Sequence, residues 1–201
     1  MKTKIKEKAT DMFLNYGFKS VTMDDIANAI GISKKTIYSS YTNKTALIED
    51  CVMNKICTIN NGIDSLIALG KNPIEELYDI KRYVMSHLKD EKTSPQFQLM
   101  KYYPKIHENM KSMQLNKMQK CLVSNVERGI EQEIYRPNLN PEFIARIYFS
   151  GINSIKDQKL FPIERFPIST LMDDFLEYHL RGIVTEKGED ILNRIINSIQ
   201  Q

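Results

Sequence analysis

Residues 22–44 read TMDDIANAIGISKKTIYSSYTNK, and this stretch decides the fold. It spells two short helices with matched starts. Thr22 is a hydroxyl N-cap, Asp25 three residues on is the acid of a shortened capping box, and Val21 before the cap staples onto Ile26. The same grammar repeats at Ser33, which caps the second helix while Ile32 staples onto Ile37. Gly31 supplies the permissive backbone that a tight interhelical turn requires. Two capped helices joined only by Gly31-Ile32-Ser33 make a helix-turn-helix, a unit whose second helix enters the major groove of DNA.

The faces of that second helix sort its residues. Ile37 and Tyr41 fall four apart and share the inward face, whereas Lys34 with Tyr38, and Lys35 with Ser39, fall four apart on the others. Upstream, Ile5, Ala9, Met12, Phe13 and Tyr16 follow the spacing of an amphipathic helix that ends at Gly17. The reading helix is therefore the third of a small bundle, with Ile26 and Ile30 completing the core.

The run from Ile5 through Ala9, Phe13, Gly17, Thr22, Ile26-Ala27, Gly31-Ile32-Ser33, Thr36-Ile37-Tyr38, Tyr41 and Lys44-Thr45-Ala46-Leu47 resembles the N-terminal domain of TetR-type transcriptional regulators. The resemblance covers about the first quarter of the chain. It implies an all-α fold, with an N-terminal three-helix bundle carrying the helix-turn-helix (residues 1–46) and a larger helical ligand-binding and dimerisation domain (residues 47–201). It also implies roles: Lys34, Lys35 and Thr36 reading bases, and Thr22, Tyr38 and Lys44 holding phosphates. Tyr41 stands where that family commonly has phenylalanine, and Ser39-Ser40 where it often has bulkier side chains.

Composition agrees with this reading. At 201 residues, 42% hydrophobic and 26% charged, the chain can bury a substantial core. The formal net charge of +3 is slight, but its distribution is not even. Residues 1–44 hold Lys2, Lys4, Lys6, Lys8, Lys19, Lys34, Lys35 and Lys44 against Glu7, Asp11, Asp24 and Asp25, which leaves the rest of the chain about neutral. The basic surface is concentrated beside the reading helix, where it neutralises phosphates. No apolar run reaches the length of a membrane span, and the start MKTKIKEKATDMF is too charged for a signal peptide, so a cytoplasmic protein without a membrane partner is expected. Cys51, Cys57 and Cys121 have no metal-ligand spacing and read as buried structural thiols.

Beyond Lys44 the sequence reads as helices throughout. Asn43 caps a fourth, long helix through Leu47, Ile48, Cys51, Val52, Ile56 and Ile59, the mechanical link to the rest. Asn72-Pro73 opens a fifth with the stripe Ile74, Leu77, Tyr78, Ile80, Val84 and Leu88. Ser94-Pro95 starts a short sixth, and Pro104 separates it from a long seventh. Asn140-Pro141 opens an eighth, the loop from Leu160 to Pro167 leads to a ninth, and Ile191, Leu192, Ile195, Ile196 and Ile199 mark a tail helix.

The eighth and ninth helices form the expected homodimer seam. Ile144, Ile147, Tyr148, Gly151, Ile152 and Ile155 line one, while Leu171, Phe175, Leu176, Tyr178, His179 and Ile183 line the other. Gly151 and Gly182 are expected to allow close approach. A single helix-turn-helix covers little DNA, so two-fold pairing on a near-palindromic operator is the route to useful affinity. TetR-like proteins pair through a four-helix bundle built from these last two long helices.

The region between is rich in methionine and aromatic residues, which suit an adaptable apolar pocket. Tyr83, His87, Phe97, Tyr103, His107, Met110 and Tyr148 are its candidate lining, and a small apolar molecule its candidate effector. Catalysis has little support, and no cofactor or metal is expected. The three histidines are scattered, and no nucleophile elbow, H-E-x-x-H or glycine-rich phosphate loop is present. Glu75-Glu76 and Asp173-Asp174 fall near helix starts, where acids suit the macrodipole. The alternative is a helical small-molecule carrier or enzyme whose helix-turn-helix is structural only, or an interaction module of the same kind; both predict no DNA affinity.

Overall fold

The computed structural model describes residues 1–87 and 95–199. Leu88, Ser94 and the side chain of Ile199 lie outside the described residues. Ten helices are described: α1 Lys2–Tyr16, α2 Met23–Ile30, α3 Lys34–Tyr38, α4 Lys44–Ile67, α5 Pro73–His87, α6 Pro95–Tyr102, α7 Pro104–Glu131, α8 Pro141–Ser154, α9 Ile168–Arg181 and α10 Glu186–Ile199. The fold is all-α, as the periodicity predicts. The chain forms two compact units, one of residues 1–61 with 87–114 and the other of residues 62–86 with 115–201. Helix α4 runs unbroken past residue 46, and its portion up to Asn61 belongs to the first unit.

The first unit is built on the apolar faces of α1 to α4. Ile5, Ala9, Phe13, Ile26, Ile37, Leu47 and Ile48 are buried together, and Leu99, Ile106 and Met110 from α6 and α7 join them. Phe13 stacks on Phe18 with ring centroids 5.4 Å apart, and Phe18 meets Tyr103 edge-on at 6.5 Å. Tyr16 departs from expectation: it has the spacing of the α1 stripe but is 65% exposed. It occupies the last position of α1, and Gly17 at φ 89° turns the chain away before a neighbour can cover it.

The second unit packs α5, α8, α9 and α10 with most of α7 around Ile74, Leu122, Tyr135, Leu176, Leu180 and Leu192. Asn72 caps α5 through the backbone N–H groups of Ile74 and Glu75, and Asn140 caps α8 through that of Phe143. Between α7 and α8, Arg136 N–H donates to the Ile183 carbonyl, and Thr185 N–H to that of Ile134, closing the unit with a short two-segment pairing.

Three expectations change here. Glu76 is only 2% exposed, so it is far more than a first-turn acid. Its carboxylate accepts from Arg128 Nη2 at 2.6 and 2.8 Å and from Asn125 Nδ2 at 2.8 Å, while Tyr135 O–H donates to Asn125 Oδ1 at 3.2 Å. Among the glycines of the expected seam, a Cβ at Gly151 would run into the Phe175 ring, so α8 and α9 do approach closely there; Gly182 instead follows α9 as its cap, with right-handed backbone and no close neighbouring helix. Of the thiols, Cys51 is buried, and burial pushes it up to about 11, but Cys57 is exposed and Cys121 half-buried.

Candidate nucleic-acid interface

The two-helix element forms as its caps dictate. Thr22 Oγ1 accepts from Asp25 N–H at 3.1 Å, and Asp25 Oδ2 accepts from Thr22 N–H at 2.8 Å, a closed capping box. These bonds from Thr22, backbone first and hydroxyl second, hold the Asp25 carboxyl below its ordinary value. Gly31 then takes the left-handed conformation at φ 74°, and Ile32 N–H reaches the Ala27 carbonyl at 3.0 Å, a Schellman closure that turns the chain sharply into the next helix. Ser33 Oγ accepts from Thr36 N–H at 3.1 Å and caps α3.

Helix α3 is short, ending at Tyr38, and the chain continues in a turn in which Ser40 and Tyr41 N–H both donate to the Ile37 carbonyl. Ile37 and Tyr41 are both buried, as their shared face predicts, although Tyr41 reaches the core through this turn and not along a continuous helix. Its hydroxyl donates to Asp50 Oδ2 of α4 at 2.7 Å, and Lys6 of α1 approaches the other oxygen of the same carboxylate at 3.4 Å. Helices α1 and α4 are thereby tied to the end of the reader. The sequence gives no sign of this, because Asp50 lies nine residues beyond Tyr41 and Lys6 in another helix.

Among the candidate base readers, Lys34, Lys35 and Thr36 all lie on the first turn and a half of α3. Lys35 is exposed and points to no carboxylate among the described residues. Lys34 pairs with Asp24 at 2.6 Å, a hydrogen bond that raises the lysine above its ordinary value. Thr36 shares its hydroxyl with Ser33 at 2.8 Å, leaving the methyl group as its other recognition feature.

The candidate phosphate holders flank this helix. Tyr38 is 44% exposed. Thr22 sits at the start of α2, where backbone N–H groups and the helix dipole favour an anion, and its own hydroxyl donates to Asp25 Oδ2 at 2.8 Å. Lys44, first residue of α4, donates to the Lys19 carbonyl at 3.2 Å and lies 5.9 Å from the Phe13 ring centroid. Burial lowers its ammonium below the ordinary lysine value, with Asp25 opposing.

The other candidates are distributed more widely. Phe97, Tyr103, His107 and Met110 belong to the first unit, where Met110 is buried in the core, Tyr103 packs against it and Phe97 is exposed; His87 is half-buried. Tyr83 and Tyr148 belong to the second, Tyr83 lying against Gly62 of α4. Of the seam candidates, Tyr148, Ile152 and His179 are buried within the chain, Ile144, Gly151, Leu171 and Phe175 are half-buried, and Tyr178 is 79% exposed. His179 meets Tyr148 edge-on at 4.8 Å and stacks on Phe175 at 6.3 Å, and its Nε2 atom has no hydrogen-bond partner among the described residues. Burial lowers its imidazole to about 4. Among the described residues no cluster of three His, Cys, Asp or Glu side chains is placed to hold a metal, and no helix is long and apolar enough to cross a membrane.

Comparison with known proteins places this geometry. Residues 5–51 match the model of the bacterial regulatory proteins of the tetR family. The biofilm operon icaADBC HTH-type negative transcriptional regulator IcaR of Staphylococcus aureus is 29% identical over 106 residues, 48% of this chain and 57% of that regulator. The chain thus spans little more than half the length of that relative. The uncharacterized HTH-type transcriptional regulator YvaF of Bacillus subtilis is 23% identical over 190 residues, 85% of this chain and 90% of that protein. A solved transcriptional regulator from Cytophaga hutchinsonii shares the fold at a TM-score of 0.71, covering 90% of this chain and 97% of its own, with 21% identity. Residues 5–51 thus carry the N-terminal domain that the model of the tetR family of bacterial regulatory proteins describes.

Proposed function

We propose that the protein is a sequence-specific, DNA-binding transcriptional regulator that acts as a cytoplasmic homodimer, with residues 1–46 as its reader and 47–201 for ligand binding and dimerisation. The observation that carries this reading is the outward face of α3. Lys35 and Tyr38 stand exposed on a helix whose inner face is locked by Ile37, and Thr22 and Lys44 stand at the starts of the flanking helices α2 and α4. Lysine suits the O6 and N7 acceptors of guanine, a threonine methyl suits that of thymine, and both serve where a short helix reaches base edges.

Pairing through α8 and α9 is supported by what one chain leaves uncovered. Phe143 and Ile147 of α8 are 59% and 50% exposed, and Tyr178 of α9 is 79% exposed. These exposed residues leave apolar surface on both helices beyond what the chain itself buries. A dimer places two copies of α3 in successive major grooves about 34 Å apart. An apolar effector that favours one spacing of the readers then changes operator affinity, provided it binds the two states unequally. Repression as the sign of regulation is supported by IcaR, whose name describes a negative transcriptional regulator.

The test is selection of bound fragments from the source genome with the full chain. Recovery of a shared near-palindromic site is expected; fragments bound in proportion to their abundance would oppose a sequence-specific regulator.

A further inference from the structure

Lys19 and Lys101 stand over one aromatic ring. Lys19, on the exposed connection between α1 and α2, carries its ammonium 4.8 Å from the Tyr102 ring centroid, and Lys101 of α6 lies 5.4 Å from the same centroid. Lys101 is also 5.8 Å from the Phe97 ring. Both rings are surface-exposed, so they form a platform that holds two cations without covering them. No carboxylate among the described residues pairs with either lysine. Two like charges on one ring repel each other, and an anion is their natural complement.

The platform is continuous with the reader. Lys19 gives its carbonyl to Lys44 Nζ at 3.2 Å and its N–H to Gln98 Oε1 of α6 at 3.4 Å. The Gln98 side chain also presses on Gly17. Helix α6 is therefore docked on the connection that runs, three residues after Lys19, into the Thr22 cap of α2. All these residues belong to the first unit. Lys44 is joined to Lys19 by a hydrogen bond, and Lys19 to Lys101 through the shared Tyr102 ring, so the three cations form a connected row. Such a row suits a linear polyanion, and duplex DNA presents one negative charge per ~1.7 Å of axis.

We propose that Lys19 and Lys101 are additional phosphate contacts, extending the DNA-binding surface from Lys44 onto α6. This assignment rests on the reading of the protein as a DNA-binding regulator. Helix α6 thereby touches DNA itself, and any displacement of α6 changes affinity without first moving α3.

The measurement is duplex affinity of the full chain across a salt series, on a selected operator and on random DNA, for wild type, Lys19→Gln, Lys101→Gln and the double variant. Each single variant lowers the slope of log affinity against log salt by about 0.9 per lost contact, so about 1.8 for a homodimer that carries the change twice, and the double variant by about twice that, on both DNAs alike. Lys105→Gln, on the first turn of α7 and off the platform, keeps the wild-type slope. Tyr102→Leu, which removes the ring and keeps both lysines, gives a loss smaller than the double variant, and thermal melting confirms that each variant is folded. Wild-type slopes in folded Lys19→Gln and Lys101→Gln would overturn the proposal, as would an equal drop in Lys105→Gln, which would mark a diffuse field, or a loss confined to the operator. Failure of the wild type to bind any duplex at low salt would instead sink the DNA-binding reading beneath it.

Discussion

The Tyr41 hydroxyl donates to Asp50 Oδ2 at 2.7 Å, and this bond ties the end of the reading segment to α4. It uses the one atom that distinguishes tyrosine from phenylalanine. Tyr41→Phe keeps the ring in its core site and deletes only the donor, so a cost of about 1–2 kcal/mol is expected in urea unfolding, the value for a partly exposed bond to a charged acceptor. The Asp50 carboxyl is pushed up by burial, but the bonds from Tyr41 and Lys6 outweigh this and hold it below its ordinary value. Its contribution is thus present above the unfolded carboxylate range and lost as pH falls through the folded value. The variant should show a shallower loss in acid, and a wild-type acid limb would contradict the role given to this bond.

His179 sets a second pH dependence. Burial lowers its imidazole to about 4, against an ordinary value near 6.5. The folded state therefore binds fewer protons than the unfolded one in this window. Stability is full above the unfolded value and falls as pH drops from about 6.5 towards 4, by a total on the order of 3 kcal/mol. His179→Phe retains ring contact with Tyr148 and removes the titration. Unfolding midpoints measured from pH 7 to 4 should decline less in the variant; an unchanged decline would assign the effect to other groups.

The buried Glu76 carboxylate predicts an asymmetry between single and double substitutions. Glu76→Ala leaves Arg128 and Asn125 without their shared acceptor and is expected to cost about 3 kcal/mol. Replacing Glu76 and Arg128 together by leucine and methionine removes both charges and should recover most of that loss. A double variant as unstable as Glu76→Ala would show that the pair itself stabilises the fold.

The two glycines of α8 and α9 should respond differently to a methyl group. Gly151→Ala forces the new carbon into the Phe175 ring, and overpacking of this kind costs about 1–3 kcal/mol. Gly182→Ala meets mainly the His179 carbonyl at 3.2 Å in ordinary right-handed backbone, so its effect should be close to neutral. Thermal denaturation of both decides this, and equal destabilisation would mean that the contact at Gly151 is relieved by movement of Phe175.

What was legible in the sequence was local. The Thr22–Asp25 box, the Ser33 cap and the Gly31 turn involve partners within five residues and form as their patterns predict, and α5 and α8 start at the expected Asn-Pro pairs. The exposed character of Lys35 and Tyr38 follows from the same helical geometry. Partners joined only by tertiary packing left no such trace. Tyr41 with Asp50, Glu76 with Arg128 and Gln98 with Gly17 meet because helices cross, and Glu76 in sequence is indistinguishable from any acid in a first turn. Tyr16 shows the converse: periodicity places it on a buried stripe, but burial also requires a neighbour at that end of the helix.

The division of labour within the reader is tested most directly by the affinities of Lys35→Ala and Lys44→Ala for a selected operator and for random duplex across a salt series. Lys44→Ala should weaken both by a similar factor and lower the salt slope by about 0.9 for each lost contact, one per protomer. Lys35→Ala should cost about 1–3 kcal/mol on the operator and little on random DNA. Loss of both affinities in the same proportion by both variants would contradict the assignment of α3 to bases and of α4 to phosphates.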